Sequence, residues 1–147
     1  MKYDKYPIVD KDSFRRFEFK SIGPKGSVLK CVRFAAVNVG RIYALEFGDI
    51  NKDGEIDFKR ITDNNDRDKV LATVALIISI FFHAYPRCAI YITGSTKSRT
   101  RLYRMAISKN LEELQRNFQI DYVIGQTYGP FERDMDCDGY MVTKIML

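Results

Sequence analysis

Nine consecutive residues, Thr93-Gly94-Ser95-Thr96-Lys97-Ser98-Arg99-Thr100-Arg101, combine one glycine, five hydroxyls and three cations, and Arg104 follows. Side chains of this kind bind anions where backbone N–H groups are also unpaired, which is the condition at the start of a helix. Acids normally stand in that first turn, and a cation there is unfavourable by roughly 0.3–1 kcal/mol. A bound phosphate reverses the sign. Gly94, Ser95, Thr96, Lys97, Ser98, Arg99, Thr100, Arg101 and Arg104 are therefore the candidate phosphate-binding residues, with Gly94 admitting the backbone to the anion and the hydroxyls adding donors. The competing reading is a plain strand-to-helix connection, with Thr96 or Ser98 as cap and the arginines paired to acids elsewhere. No second glycine precedes Lys97, so the Walker pattern is absent; neither ATP nor any other cofactor is predicted.

Two acidic segments have the spacing of calcium loops. Asp49-Ile50-Asn51-Lys52-Asp53-Gly54-Glu55-Ile56-Asp57 matches D-x-N-x-D-G-x-I-D, and Asp134-Met135-Asp136-Cys137-Asp138-Gly139 matches its opening. Both lack the bidentate Glu at the twelfth position, where Arg60 and Ile145 stand, and Asp-Gly is equally what a tight turn requires. Turns are the preferred reading, and no metal site is predicted. His83, the only histidine, falls in the last turn of an apolar helix, where a cation suits the dipole. No nucleophile motif accompanies it, and catalytic residues are not identified. A toxin-like nuclease without histidine would draw on Arg99, Arg101, Arg104 and Tyr103, with an acid from Asp63, Asp66 or Asp68; pairing Asp66 or Asp68 with Arg99 or Arg101 would instead satisfy both groups without a ligand.

The elements that must position these residues follow from periodicity. Phe17 and Phe19 alternate with charges in a strand over 14–19, Gly23-Pro24-Lys25-Gly26 turns the chain, and 27–37 returns as a second strand. Further strands are predicted over 41–48 and, after Asp53-Gly54, over 55–61. An apolar helix capped by Asn64 or Asn65 ends at Pro86, with Arg67 and Lys69 at its wet edge. Residues 88–93 are apolar on both faces, as in a central strand. A second helix over 98–116 buries Tyr103, Ile107, Leu111 and Leu114 and exposes Arg101, Arg104, Ser108, Glu112 and Gln115. Strands over 118–125 and 140–147 complete the order β-β-β-β-α-β-α-β-β, an α+β single domain over 1–147 with a mostly antiparallel sheet.

Three runs, FGDI at 47–50, NDRDKVLATV at 65–74 and YITGSTKSRTRLYRMAI at 91–107, resemble a family of small bacterial proteins of unknown function. The likeness covers most of the chain. It implies a bacterial cytosolic single domain and carries no activity with it.

Charge narrows the function classes. The chain carries 24 Lys and Arg against 19 Asp and Glu, a net +5. Residues 87–116 hold seven of those bases and two acids, so the whole excess lies in the glycine-led turn and its helix. A localised positive field attracts RNA, DNA or a phosphorylated small molecule, and alternatively an acidic protein partner. The longest apolar run, 70–82, is too short to span a membrane, and no apolar leader is visible, which points to the cytoplasm. Three cysteines without ligand spacing fit reduced thiols.

Overall fold

The computed structural model describes residues 4–37 and 40–146, so residues 1–3 of the N-terminal segment and Leu147 of the last expected strand lie outside it. The chain is α+β, with a mostly antiparallel open sheet, and it divides into two compact units.

The first unit comprises Met1–Ala35 and Glu46–Tyr85. Strands Val9–Asp10 (β1), Arg16–Gly23 (β2) and Gly26–Ala36 (β3) pair in succession, β1 and β2 antiparallel and β2 on β3 from Arg16↔Arg33 to Gly23↔Gly26. Phe17 and Phe19 are buried as their alternation predicts. Next to β3 lies Ile42–Ile50 (β4), whose residues from Glu46 onward belong to this unit. It pairs with the two-residue strand Ile56–Asp57 (β5) through Asp49↔Asp57 and Ile50↔Ile56. The strand expected over 55–61 is thus only two residues long.

The helix Arg67–Ala84 (α1) buries Val70, Val74, Ile77, Phe81 and Phe82, and Phe81 stacks on Phe34 of β3 at 4.2 Å. Its cap is not Asn64 or Asn65. Asp66 occupies that position without a side-chain capping bond, and Asn65 adopts φ 60°, a left-handed conformation asparagine tolerates. Asn64 is 1% exposed, and its amide is committed to the β2–β3 turn: Oδ1 accepts from Lys25 N at 2.8 Å, and Nδ2 donates to Gly26 O at 2.8 Å. Lys69, expected at a wet edge, is half-buried with Nζ over the Tyr6 ring, 4.3 Å from its centroid.

The second unit comprises Ala36–Leu45 and Pro86–Leu147. Ala89–Ile92 (β6) lies between the first half of β4, to which it is parallel, and Gly139–Lys144 (β9), to which it is antiparallel. Beyond β9 come Phe118–Ile124 (β7) and Thr127–Pro130 (β8), both antiparallel to their neighbours. The polar loop expected after residue 125 therefore begins with an edge strand.

The expected second helix is two. Lys97–Lys109 (α2) stops at Asn110, whose side chain donates to Ala106 O at 2.9 Å and so competes for a helix carbonyl; a short helix, Leu111–Leu114 (α3), follows. Tyr103, Ile107 and Leu111 form the buried stripe. Ser108 was expected to face solvent. It is 4% exposed, and its Oγ accepts the Asp134 N–H at 2.9 Å, which ties the loop after β8 to α2. No helix among the described residues is long and apolar enough to cross a membrane.

Candidate functional site

Strand β6 delivers the chain to the glycine-led turn, and the turn's own hydrogen bonds shape it. The Gly94 N–H donates to Thr100 Oγ1 at 2.9 Å, and Thr100 N donates to Thr96 O at 3.1 Å. Thr96 caps α2: its backbone is extended, and its side chain accepts from Arg99 N at 3.3 Å. A Cβ on Gly94 would stand 2.3 Å from Thr100 N and 2.6 Å from the Arg99 carbonyl carbon. Glycine is needed here so that the strand's end can pack against the helix's first turn.

These bonds sort the candidate residues. Thr100 Oγ1 accepts from Gly94 and itself donates to Thr96 O at 3.3 Å, so its single proton is already used. Arg99 turns back on the loop, with Nη1 donating to Ser95 Oγ at 2.5 Å. The hydroxyls of Ser95 and Thr96 each accept one bond and keep a proton to give. The amides of Lys97 and Ser98 lie in the first helical turn, where no acceptor exists within the helix. No acid occupies that turn. Lys97 and Arg101 are exposed and make no ion pair with a described residue.

A cleft of about 800 Å³ opens at this helix start. Gly94, Ser95, Thr96, Lys97, Thr100, Arg101 and Arg104 all line it, whereas Ser98 and Arg99 do not. The opposite wall is made by residues the spacing did not single out for an anion site: Asp136, Cys137 and Asp138 of the loop before β9, Ile124 at the end of β7, and Tyr140 of β9. Several bonds hold that loop in place. Arg104 Nη1 donates to Asp136 Oδ1 at 3.2 Å, Thr93 Oγ1 donates to Asp138 O at 2.9 Å, and Gly125 N donates to Asp138 Oδ2 at 2.7 Å.

Tyr140 is the one buried residue among those lining the cleft, at 0% exposure, and its hydroxyl has no hydrogen-bond partner among the described residues. Its ring packs edge-on against Phe131 at 5.3 Å. Burial first, and then a contact with the Cys137 thiol on which the hydroxyl leans, push the phenol pKa far above its usual value; that contact falls short of hydrogen-bond geometry, so the group is a donor that keeps its proton.

A family model described as a family of unknown function (DUF6934) matches residues 2–145. The chain belongs to that family. No curated protein and no solved structure matches it.

In this DUF6934 member the other motifs resolve into structure. Asp49 is 6% exposed and ion-paired to the buried Lys30 at 2.7 Å, so the first position of the calcium-like pattern at 49–57 is spent internally. Asn51 Oδ1 accepts from Asp53 N and Glu55 N, which makes 51–55 the turn between β4 and β5. Among the described residues no group of three or more His, Cys, Asp or Glu is placed to hold a metal ion. Of the acids proposed for a nuclease, Asp66 accepts from the Tyr6 hydroxyl at 2.5 Å and the Ser21 hydroxyl at 2.6 Å. Asp68 lies 4.0 Å from Arg67. Tyr103 is buried, which pushes its pKa up to about 12 and unsuits it for moving a proton near neutrality. His83 is exposed near the end of α1.

Proposed function

We propose that the second unit of this DUF6934 member binds the phosphate group of a phosphorylated ligand at the start of α2. The observation that carries this reading is a helix N-terminus with no acid in its first turn, two cations without ion partners among the described residues, and a cleft walled by the same residues. Lys97 and Arg101 supply charge, the Lys97 amide and the helix dipole supply oriented donors, and the Ser95 and Thr96 hydroxyls complete the cradle. Arg99 and Thr100 shape it from within.

A strand of RNA or DNA and a free phosphorylated small molecule present the same chemistry. The basic excess over 87–116 supports the first, and the concave shape supports the second. An acidic protein partner would use the same cations, but a cleft with a buried hydroxyl favours a ligand that enters it. No hydrolytic step is part of the proposal.

The test is a titration of inorganic phosphate, a nucleoside monophosphate and labelled RNA and DNA at two salt concentrations, with wild type and Lys97→Glu/Arg101→Glu. Each charge-assisted contact contributes roughly 1.5–3 kcal/mol, so the double variant should lose at least about a hundredfold in affinity. Binding that survives the double substitution refutes the phosphate reading. Length-dependent affinity with a steep salt slope identifies nucleic acid as the source; saturable binding of the monophosphate identifies the small molecule.

A further inference from the structure

The cleft has a second half that a phosphate alone leaves unused. We infer that its ligand is a phosphate monoester of a hydroxyl-bearing organic group, a sugar or nucleoside monophosphate, and that the Tyr140 hydroxyl donates a hydrogen bond to it. This deepens the phosphate reading and rests on it.

Three observations converge on that ligand class. The first is Tyr140 itself. A fully buried phenol with the Cys137 thiol beside it but no well-formed hydrogen bond to a described residue is unusual in a folded protein, and here it lines the cleft beside the helix start. Its strand is paired on both sides, through Ile92↔Tyr140 and Tyr122↔Tyr140, and its ring is held by Phe131, so it is not free to swing toward another acceptor. A donor fixed in that way is completed by an acceptor oxygen on whatever occupies the cleft.

The second is the charge balance. Arg104 is already matched by Asp136 at 3.2 Å, which leaves Lys97 and Arg101 as the cations open to a ligand. Two positive charges match one monoester, which carries about −1.5 to −2 near neutral pH. The carboxylates of Asp136 and Asp138 stand on the facing wall, Asp136 at 96% side-chain exposure. They repel the flanking phosphates of a nucleic-acid strand, and they accept hydrogen bonds from hydroxyl or amino groups.

The third is Ile124. An aliphatic side chain 43% exposed on the same wall offers a face to the carbon skeleton of a sugar or base. Anion-binding residues on one side, with an apolar side chain and acceptors on the other, describe a molecule with a phosphate at one end and an organic body at the other.

Calorimetric titration of the full chain with inorganic phosphate, ribose 5-phosphate, adenosine 5′-monophosphate and an RNA octamer lacking terminal phosphates tests this. The monoesters should bind at least tenfold tighter than inorganic phosphate or the octamer. Tyr140→Phe should weaken monoester binding about tenfold while its ligand-free unfolding temperature stays level or rises, since only an unsatisfied oxygen is lost. Ile124→Ala, a change at an exposed position that does not put folding at stake, should weaken the monoesters and leave inorganic phosphate unchanged. An octamer that binds as tightly as the monoesters overturns this inference, as does unchanged monoester affinity in both variants; in either case the phosphate reading stands if Lys97→Glu/Arg101→Glu still abolishes binding. Binding by none of the probes, or binding indifferent to that double variant, removes the phosphate reading and this inference together.

Discussion

Replacing Lys30 or Asp49 singly removes one member of a buried ion pair and strands the other. Lys30 is 1% exposed and Asp49 8% by side chain, with Nζ and Oδ1 2.7 Å apart. Lys30 Nζ also donates to Thr62 O at 3.0 Å, and Asp49 Oδ2 accepts from Thr62 N at 2.8 Å. At that separation an effective dielectric of about 20 gives an attraction of roughly 6 kcal/mol, most of which offsets the desolvation of two charges. Breaking such a pair from one side costs about 3–5 kcal/mol, whereas replacing both ends with apolar groups of similar volume is nearly neutral. Urea unfolding followed by circular dichroism should therefore place Lys30→Met and Asp49→Leu about 3–5 kcal/mol below wild type, and Lys30→Met/Asp49→Leu within about 2 kcal/mol of it. The reasoning fails if either single variant lies within about 1 kcal/mol of wild type, or if the double variant shows the sum of the two losses.

Two further perturbations act on named groups. Gly94→Ala sets a methyl 2.3 Å from the Thr100 nitrogen, in backbone that cannot yield as a side chain does; a loss of about 1–3 kcal/mol in unfolding free energy is expected, and a change within about 0.5 kcal/mol would mean the strand and helix do not meet this closely. Burial raises the Cys31 thiol from 9.0 to about 11. Below pH 9 both states keep that proton; between pH 9 and 11 only the unfolded state releases it, so stability falls as pH rises, by up to about 2–3 kcal/mol. Tyr103, raised from 10.0 to about 12, extends the decline upward. Urea midpoints that stay level from pH 8 to 11 would contradict both burials.

Much of the fold could be read from local rules. The Phe17 and Phe19 alternation, the apolar α1 and the break at Gly94 each depend on near neighbours in sequence, and periodicity reports near neighbours. Helix α2 was expected to run to residue 116 because apolar spacing says nothing of Asn110, whose amide takes a helix carbonyl. β1 has two exposed residues and no pattern to detect. The cations of the cleft were visible because their types violate a rule of helix starts; its opposite wall was not. Asp136 and Asp138 looked like turn formers, and Tyr140 looked like the first residue of the last strand. That its hydroxyl lacks a partner is a property of three-dimensional neighbours alone. Asn64 misleads for the same reason, since asparagine before a helix usually means a cap, and here the distant β2–β3 turn claims its amide.

The grip of Asn64 on the β2–β3 turn bears on where this protein can be modified. Hairpin tips are ordinarily permissive places to insert a tag or a reporter, because solvent surrounds them. This tip is clasped instead: Lys25 N and Gly26 O are bonded to Asn64, and a Cβ on Gly23 would fall 2.1 Å from the Asn64 carbonyl oxygen. An insertion between Pro24 and Lys25 would pull on the segment that leads into α1. Gly54 is the better site, since it sits at a positive φ with open space around it.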